Sequence, residues 1–241
     1  MLCAMRLLVA RVVGPVVAPG LALALLCGCG SAPERIDPTG IDSLTIPTPS
    51  PDPSDFTVRI DNRWLPLAPG TTWTYEVTGS ARASTATTTV TDQTSTIAGV
   101  RTVVVRHETL GRRGRVLETT DSYYAQDRDG NVWIFGTTGP DGWRAGEDSA
   151  EATLAMADGP RHGDGYAAEF VGGAITRAAE VRATNATTYT PYGEFDDVVE
   201  VEETGVEEGA EPYVSSYAEG VGLVEVDRTG AEGLELVDVQ R

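Results

Sequence analysis

Lysine is absent from this chain of 241 residues, and all 18 of its basic residues are arginines, against 36 acidic residues. Removal of a leader of 28 residues would take away two arginines and no acid, which leaves a net charge of −20. A polyanion of this kind is repelled by nucleic acid and by anionic lipid head groups. We therefore expect no nucleic acid among its partners, and we interpret the charge mainly as a source of solubility.

Cysteine is nearly absent too. Cys3, Cys27 and Cys29 all lie at the N-terminus. The rest of the chain therefore cannot form an internal disulfide, a thiol nucleophile or a cysteine metal site. Its stability must come from packing.

The common catalytic motifs are also missing: the sequence holds no HExxH, GxSxG, P-loop or GxGxxG pattern. Only two histidines occur, His107 and His162, and they are far apart in the chain. We expect no catalysis, no cofactor and no bound metal. A hydrolase based on a pair of carboxylates stays open, because acids are abundant.

The segment Asp127 to Asn131 reads Asp-Arg-Asp-Gly-Asn and begins like a calcium loop. Such a loop ends on a bidentate Glu at its twelfth position, which here is Thr138. The same residues are typical of a tight turn between two strands. We predict a hairpin turn.

The first 28 residues have the profile of a secretory signal. Arg6 and Arg11 precede an apolar run from Val12 to Leu26, and Glu34 is the first acid. The run ends in Leu-Cys-Gly-Cys29, which resembles a bacterial lipobox. We expect cleavage before Cys29 and lipid on its sulfur, which would anchor the protein to the cell membrane on its extracytoplasmic side. An uncleaved anchor and cleavage without lipidation are the alternatives.

Residues 29–55 form a linker rich in proline, with proline at every second position from Pro47 to Pro53. Proline fixes φ and removes a hydrogen-bond donor, which excludes a regular helix and a central strand. We expect an extended, polyproline-like tether that holds the domain away from the membrane.

Residues 56–241 are predicted to form a single, mainly all-β domain. Residues alternate between apolar and polar in several segments, most clearly with Trp73, Tyr75 and Val77 on one face. The predicted fold is a strongly curved antiparallel sheet or half-barrel, with at most a short helix near residues 146–158. Strands are predicted at 71–77, 83–93, 100–109, 115–126, 131–135, 166–171, 175–189, 195–203, 213–218, 223–227 and 234–239, and a turn at 97–100 is predicted to join the second strand to the third.

The segment from Asn131 to Phe135 is apolar on both faces, with Val132 and Ile134 on one and Trp133 and Phe135 on the other. A sheet with one wet face would not need this pattern. A loop, a helix or a bound apolar ligand must cover the second face, and we favour a loop. Aromatic residues of this and neighbouring strands are the predicted lining of a ligand site on the concave face: Trp73, Tyr75, Tyr124, Trp133 and Phe135.

Several stretches resemble a family of exported bacterial proteins and lipoproteins that has no established activity. They are Asn62 to Glu76, Tyr123 to Gly136 (which contains YAQDRDGNVWIFG), Trp143 to Glu147, Gly193 to Val199 and Tyr217 to Val224. The strand pattern is also similar to that of half-barrel lipoprotein carriers, whose concave face holds acyl chains. That resemblance implies lipid or another apolar molecule as the ligand.

Three functions remain open at this point. The first is binding of an apolar or amphipathic ligand, which an enclosed apolar cavity above about 300 Å³ would favour. The second is a structural or interaction module of the cell envelope, with a filled core. The third is a carboxylate hydrolase, which would need two converging acids in a cleft.

Overall fold

A computed structural model of the protein describes residues 45–46, 52–207 and 209–241. They belong to one compact unit, Pro38–Arg241. The predicted signal segment, Cys29 and most of the linker lie outside the described residues. Within the described ranges, no helix is long and apolar enough to cross a membrane.

The described part of the chain forms strands and two short 3-10 turns, the latter at Pro53–Asp55 and Arg112–Gly114. The strands are β1 (Thr45–Ile46), β2 (Phe56–Thr57), β3 (Thr72–Thr78), β4 (Ala83–Ile97), β5 (Val100–Gly111), β6 (Val116–Asp127), β7 (Val132–Thr137), β8 (Trp143–Arg144), β9 (Thr153–Met156), β10 (Gly165–Val171), β11 (Ala174–Thr190), β12 (Gly193–Gly205), β13 (Tyr213–Ala218), β14 (Gly222–Arg228) and β15 (Gly233–Gln240).

The strands join in one sheet, in the order β1-β10-β11-β12-β13-β14-β15-β3-β4-β5-β6-β7-β8. Most neighbours follow each other in the chain and pair antiparallel. The main exception joins the two ends of the domain, since β15 pairs antiparallel with β3 and places Leu236 opposite Tyr75. The prediction of a curved, antiparallel all-β fold is confirmed.

The curvature brings the two ends of the sheet together. β9 pairs with β7 at one end, and Glu151 bridges to Phe170 of β10 at the other. The hydroxyl of Thr153 also donates a hydrogen bond to the carbonyl oxygen of Ala168 across this seam, at 2.8 Å. The sheet is therefore nearly closed and encloses a lumen, as barrels do.

Two predicted turns are confirmed. Ala98 and Gly99, both at positive φ, connect β4 to β5, which is the geometry of a tight two-residue hairpin. Asp127 organises the turn between β6 and β7, because its carboxylate accepts hydrogen bonds from the backbone N–H groups of Asp129 and Asn131 and from the side chain of Asn131, each at 2.9 Å.

The segment near residues 146–158, for which the sequence allowed at most a short helix, contains no helix. Gly146, Asp148 and Ser149 have positive φ, which a right-handed helix does not tolerate. The chain turns there and then forms β9, in which Leu154 and Met156 are buried.

The linker of residues 29–55, predicted to be extended and polyproline-like, contains two short elements among its described residues. Thr45–Ile46 forms β1, which pairs in parallel with β10, and Pro53–Asp55 forms a 3-10 turn that Asp52 caps with its side chain. Both elements are compatible with the prolines nearby. β1 lies at an edge of the sheet, where proline is tolerated, and Pro53 begins the 3-10 turn, where its missing N–H is not needed.

Candidate functional site

The lumen of the sheet contains a cavity of about 260 Å³, called here the lumen cavity. Strands from around the whole sheet contribute to its wall, together with two leucines of the loop before β3. The lining residues are Leu65, Leu67, Trp73, Tyr75, Thr88, Val105, His107, Tyr124, Ile134, Leu154, Ala155, Tyr166, Ala168, Arg177, Glu203, Tyr213, Tyr217, Leu223 and Leu234.

Three of the five residues predicted to line a ligand site face this cavity: Trp73, Tyr75 and Tyr124. Two of them are fixed by hydrogen bonds to backbone carbonyls at the start of β14, two strands away in the sheet. The indole N–H of Trp73 donates to the carbonyl oxygen of Val221 at 2.7 Å, and the hydroxyl of Tyr75 donates to that of Leu223 at 3.0 Å. Their apolar ring surfaces are thereby held in place along the wall.

The other two predicted residues, Trp133 and Phe135, do not reach the lumen cavity. On β7 it is Ile134, between them, that lines the cavity. Trp133 and Phe135 point to the opposite side of the strand, where Phe56 of β2 packs edge-on against them, with ring centroids 6.4 and 5.1 Å away. Their placement on the concave face is corrected, because side chains alternate along a strand.

The apolar outer face of β7 is thus covered by Phe56 of the two-residue strand β2, where the prediction favoured a loop. β2 pairs with the end of β6, and the loop that follows is anchored through Asn62. The amide of Asn62 donates to the carbonyl oxygens of Gly130 and Ala157 and accepts from the N–H groups of Trp64 and Leu65. This anchor holds Leu65 and Leu67 against the lumen.

One part of the cavity wall is polar. The guanidinium of Arg177 lies 2.8 Å from a carboxylate oxygen of Glu169 and 3.5 Å from one of Glu203. The hydroxyl of Tyr213 donates to the same carboxylate of Glu203 at 2.6 Å. The positive charge of Arg177 is therefore shared between two carboxylates.

The polar part of the wall opens towards a second space of about 330 Å³, the polar cleft. The lumen cavity and the polar cleft share Glu203, Tyr213 and Leu234. Arg228 lines the polar cleft, and its guanidinium carbon lies 4.2 Å from the centroid of the Tyr213 ring. The lumen cavity therefore combines an aromatic and aliphatic wall with a polar part near Tyr213.

His107 also lines the lumen cavity, and its Nδ1 lies 3.0 Å from the hydroxyl oxygen of Thr88. Burial lowers the pKa of His107 to about 4, so the ring is neutral at pH 7. The sequence placed His107 on the same strand face as Val103 and Val105, but nothing in the sequence showed that this face borders a cavity.

The tyrosines of the wall are neutral phenols at pH 7. Burial raises the pKa of Tyr124 to about 12. Burial is also the main cause that raises the pKa of Tyr75, Tyr166, Tyr213 and Tyr217. Each phenol can therefore donate a hydrogen bond as well as accept one.

Sequence reasoning did not identify the polar residues of the wall, namely Tyr166, Arg177, Glu203, Tyr213 and Tyr217. Tyr213 and Tyr217 are four residues apart on one strand and so share a face, which was the only available signal. Two carboxylates at this wall, those of Glu169 and Glu203, are held by Arg177. No cluster of three or more His, Cys, Asp or Glu side chains that could hold a metal occurs among residues 45–46, 52–207 and 209–241.

No protein-family model matches the chain, and no curated protein matches it. Two solved structures do. One is of a protein from Bacteroides fragilis described as exported, with a YmcC-like fold; it is 14% identical, the match covers 75% of this chain and 100% of that one, and the TM-score is 0.45. The other is of a protein from Parabacteroides distasonis described as a lipoprotein; it is 11% identical, with 74% and 99% coverage and a TM-score of 0.41.

Proposed function

We propose that this chain is an exported lipoprotein that binds a small apolar or amphipathic molecule in the lumen cavity, and that it is not an enzyme. The observation that carries the proposal is the cavity itself. The inward-facing side chains of the fourteen strands β2 to β15 could fill the lumen completely, as side chains do in most protein cores. Instead the lumen retains about 260 Å³ of space between Trp73, Tyr75, Tyr124 and Leu223.

The size of the cavity limits the ligand. The lumen cavity, at about 260 Å³, lies below the threshold of about 300 Å³ set above for a ligand site and below the range of roughly 300–1,000 Å³ for drug-sized molecules. An engineered apolar cavity of about 150 Å³ accepts benzene. The ligand that fits is therefore between a single aromatic ring and a drug-sized molecule, or one end of a longer chain.

The proposed location follows from the sequence. The signal-like segment before Cys29 would export the chain, and acyl chains on Cys29 would hold it at the outer side of the cell membrane. The linker of residues 29–55 would then present the lumen to molecules near the bilayer. A binding protein for apolar molecules fits this position, because such molecules concentrate in and near membranes.

The test is native mass spectrometry of residues 38–241, which form one compact unit, after purification from the producing cell and with solvent extraction of bound molecules. A discrete ligand of low molecular mass should accompany the wild type. It should be absent from Ala168→Leu, because Ala168 lines the cavity and the larger side chain fills it.

The matched control is Ala178→Leu, which adds the same atoms to an exposed position of β11. Ala178→Leu should keep the ligand at the level of the wild type. A wild-type protein that carries no ligand and binds no naphthalene would contradict the proposal.

A cell-envelope interaction module is the second candidate, and exposed aromatic residues favour it. At the hairpin between β11 and β12, the side chains of Tyr189 and Tyr192 are 69% and 46% exposed, and the ring of Tyr192 stacks on that of Phe195. Exposed aromatic residues are enriched where proteins bind proteins. If the lumen proves empty, a Tyr189→Ser/Tyr192→Ser variant that loses crosslinked envelope proteins in intact cells would support this function.

A further inference from the structure

We propose that the lumen cavity selects molecules that join an apolar body to one uncharged hydrogen-bonding group, such as an alcohol or a phenol. The inference rests on the proposed function and specifies the class of ligand. It begins from two tyrosine hydroxyls in the cavity wall, those of Tyr166 and Tyr217.

Tyr166 is only 6% exposed, yet its hydroxyl makes no hydrogen bond to any residue in the described part of the chain. Tyr217 is half-buried, and its hydroxyl likewise makes no hydrogen bond within residues 45–46, 52–207 and 209–241. By contrast, Tyr75 and Tyr213 in the same wall each donate to a partner within the protein. A buried polar group without a partner costs stability, and most such groups in proteins are satisfied.

The two hydroxyls are not sealed inside the protein. Among the described residues, the only buried side-chain polar atom that is both sealed from solvent and without a partner is Nε1 of Trp64. The hydroxyls of Tyr166 and Tyr217 therefore keep some accessible surface, and both residues line the lumen cavity. Two neutral phenols that lack protein partners offer hydrogen bonds to whatever occupies the cavity.

The charges of the wall argue against an ionised ligand group. Among the described residues that line the lumen cavity, Arg177 is the only arginine, and Glu169 and Glu203 already engage it. Arg228 lines the polar cleft and not the lumen cavity. An anion in the lumen cavity would therefore lie near the carboxylate of Glu203 without a free arginine beside it. Moving a charged group out of water without a partner is costly. An uncharged group can bind the phenols without this cost.

The shape of the site agrees with this assignment. Trp73, Leu223 and Leu154 supply the apolar wall. Tyr166 lies on β10 and Tyr217 on β13, and the two strands between them in the sheet carry Arg177 and Glu203. A site built to bind a hydroxyl discriminates strongly against an analogue that lacks it, because its polar groups then remain unpaired.

The experiment compares three probes of similar shape by equilibrium dialysis against residues 38–241 at pH 7: naphthalene, 2-naphthol and 2-naphthoate. We expect 2-naphthol to bind about tenfold more tightly than naphthalene, as one or two net hydrogen bonds would give. The 2-naphthoate anion should bind most weakly.

The variants Tyr166→Phe, Tyr217→Phe and the double variant remove only the hydroxyls. They should bring the affinity for 2-naphthol down to that for naphthalene and leave the affinity for naphthalene unchanged. Since the hydroxyls have no protein partner to lose, folding should be unaffected. Tyr192→Phe, at an exposed position, is the control and should leave all three affinities unchanged.

The outcomes separate the two proposals. Equal binding of naphthalene and 2-naphthol would overturn the selectivity and leave the cavity as a general apolar site. Tighter binding of 2-naphthoate would overturn it too, because the site would then prefer an anion. Failure of all three probes to bind would overturn the proposed function itself.

Discussion

At the scale of single residues, His107 links the cavity to the stability of the fold. The ring lies in the interior, and burial lowers its pKa from 6.5 to about 4. In the unfolded chain the same ring would titrate near its ordinary value of about 6.5. Between these two values the unfolded state takes up a proton that the folded state does not, and the free energy of unfolding decreases as the pH falls.

We therefore predict that the stability contributed by neutral His107 is fully present above pH 6.5 and is lost as the pH falls to about 4. A shift from 6.5 to about 4 corresponds to up to about 3 kcal/mol. Urea unfolding at a series of pH values measures it. His107→Gln should remove this part of the decrease, whereas exposed His162→Gln should not. Identical pH profiles for wild type and His107→Gln would refute the role of His107.

At the scale of elements, the short strand β9 decides whether the sheet is open or nearly closed. It is only four residues long, and its contacts to β10 depend on few bonds, including that from Thr153 to Ala168 at 2.8 Å. Thr153 is completely buried. The carbonyl of Ala168 would lose this donor if the hydroxyl were replaced by a methyl group.

We predict that Thr153→Val lowers the free energy of unfolding by roughly 1–2 kcal/mol, the usual cost of a buried group left unpaired. Amide hydrogen exchange in β9 and β10 should accelerate more than in β4 and β5. Thr119→Val, at an exposed position of β6, serves as the control. Unchanged exchange along the seam would show that β9 does not hold it closed.

At the scale of the whole molecule, the proposed position in the cell depends on Cys29. We predict that palmitate fed to the producing cells labels the wild-type protein and that Cys29→Ser abolishes the label, because lipid requires that sulfur. Cys27→Ser is the matched control, two residues earlier, and should keep the label. Retention of label by Cys29→Ser would place the lipid elsewhere or refute lipidation.

Much of the fold could be predicted because strand patterns are local. The alternation at Trp73 and Tyr75, and the glycine and aspartate turns at Gly99 and Asp127, depend on neighbours within a few residues. The sequence did not predict β9, because a pattern of four residues is too short to recognise. It also did not predict the turn before β9, because Asp148 and Ser149 adopt positive φ there although neither residue type requires it.

The candidate site was predictable only in part, for a related reason. A strand with two apolar faces shows that both faces are covered, but not which one turns inward. In β7 the side chain of Ile134 faces the lumen, whereas the larger rings of Trp133 and Phe135 pack against Phe56 on the other face. The covering residue is more than 70 positions earlier in the chain, and only tertiary packing brings it there.

Composition and short-range pattern are sufficient to predict the acidic charge, the strands and most of their turns, and they also carry the features that predict export. Packing between distant residues established the pairing of β15 with β3, the near closure at β9 and the space left inside. It also decided that Tyr166 and Tyr217, 51 positions apart in the chain, line one cavity without protein partners for their hydroxyls. Those features depend on contacts between distant residues, which become neighbours only when the sheet curls.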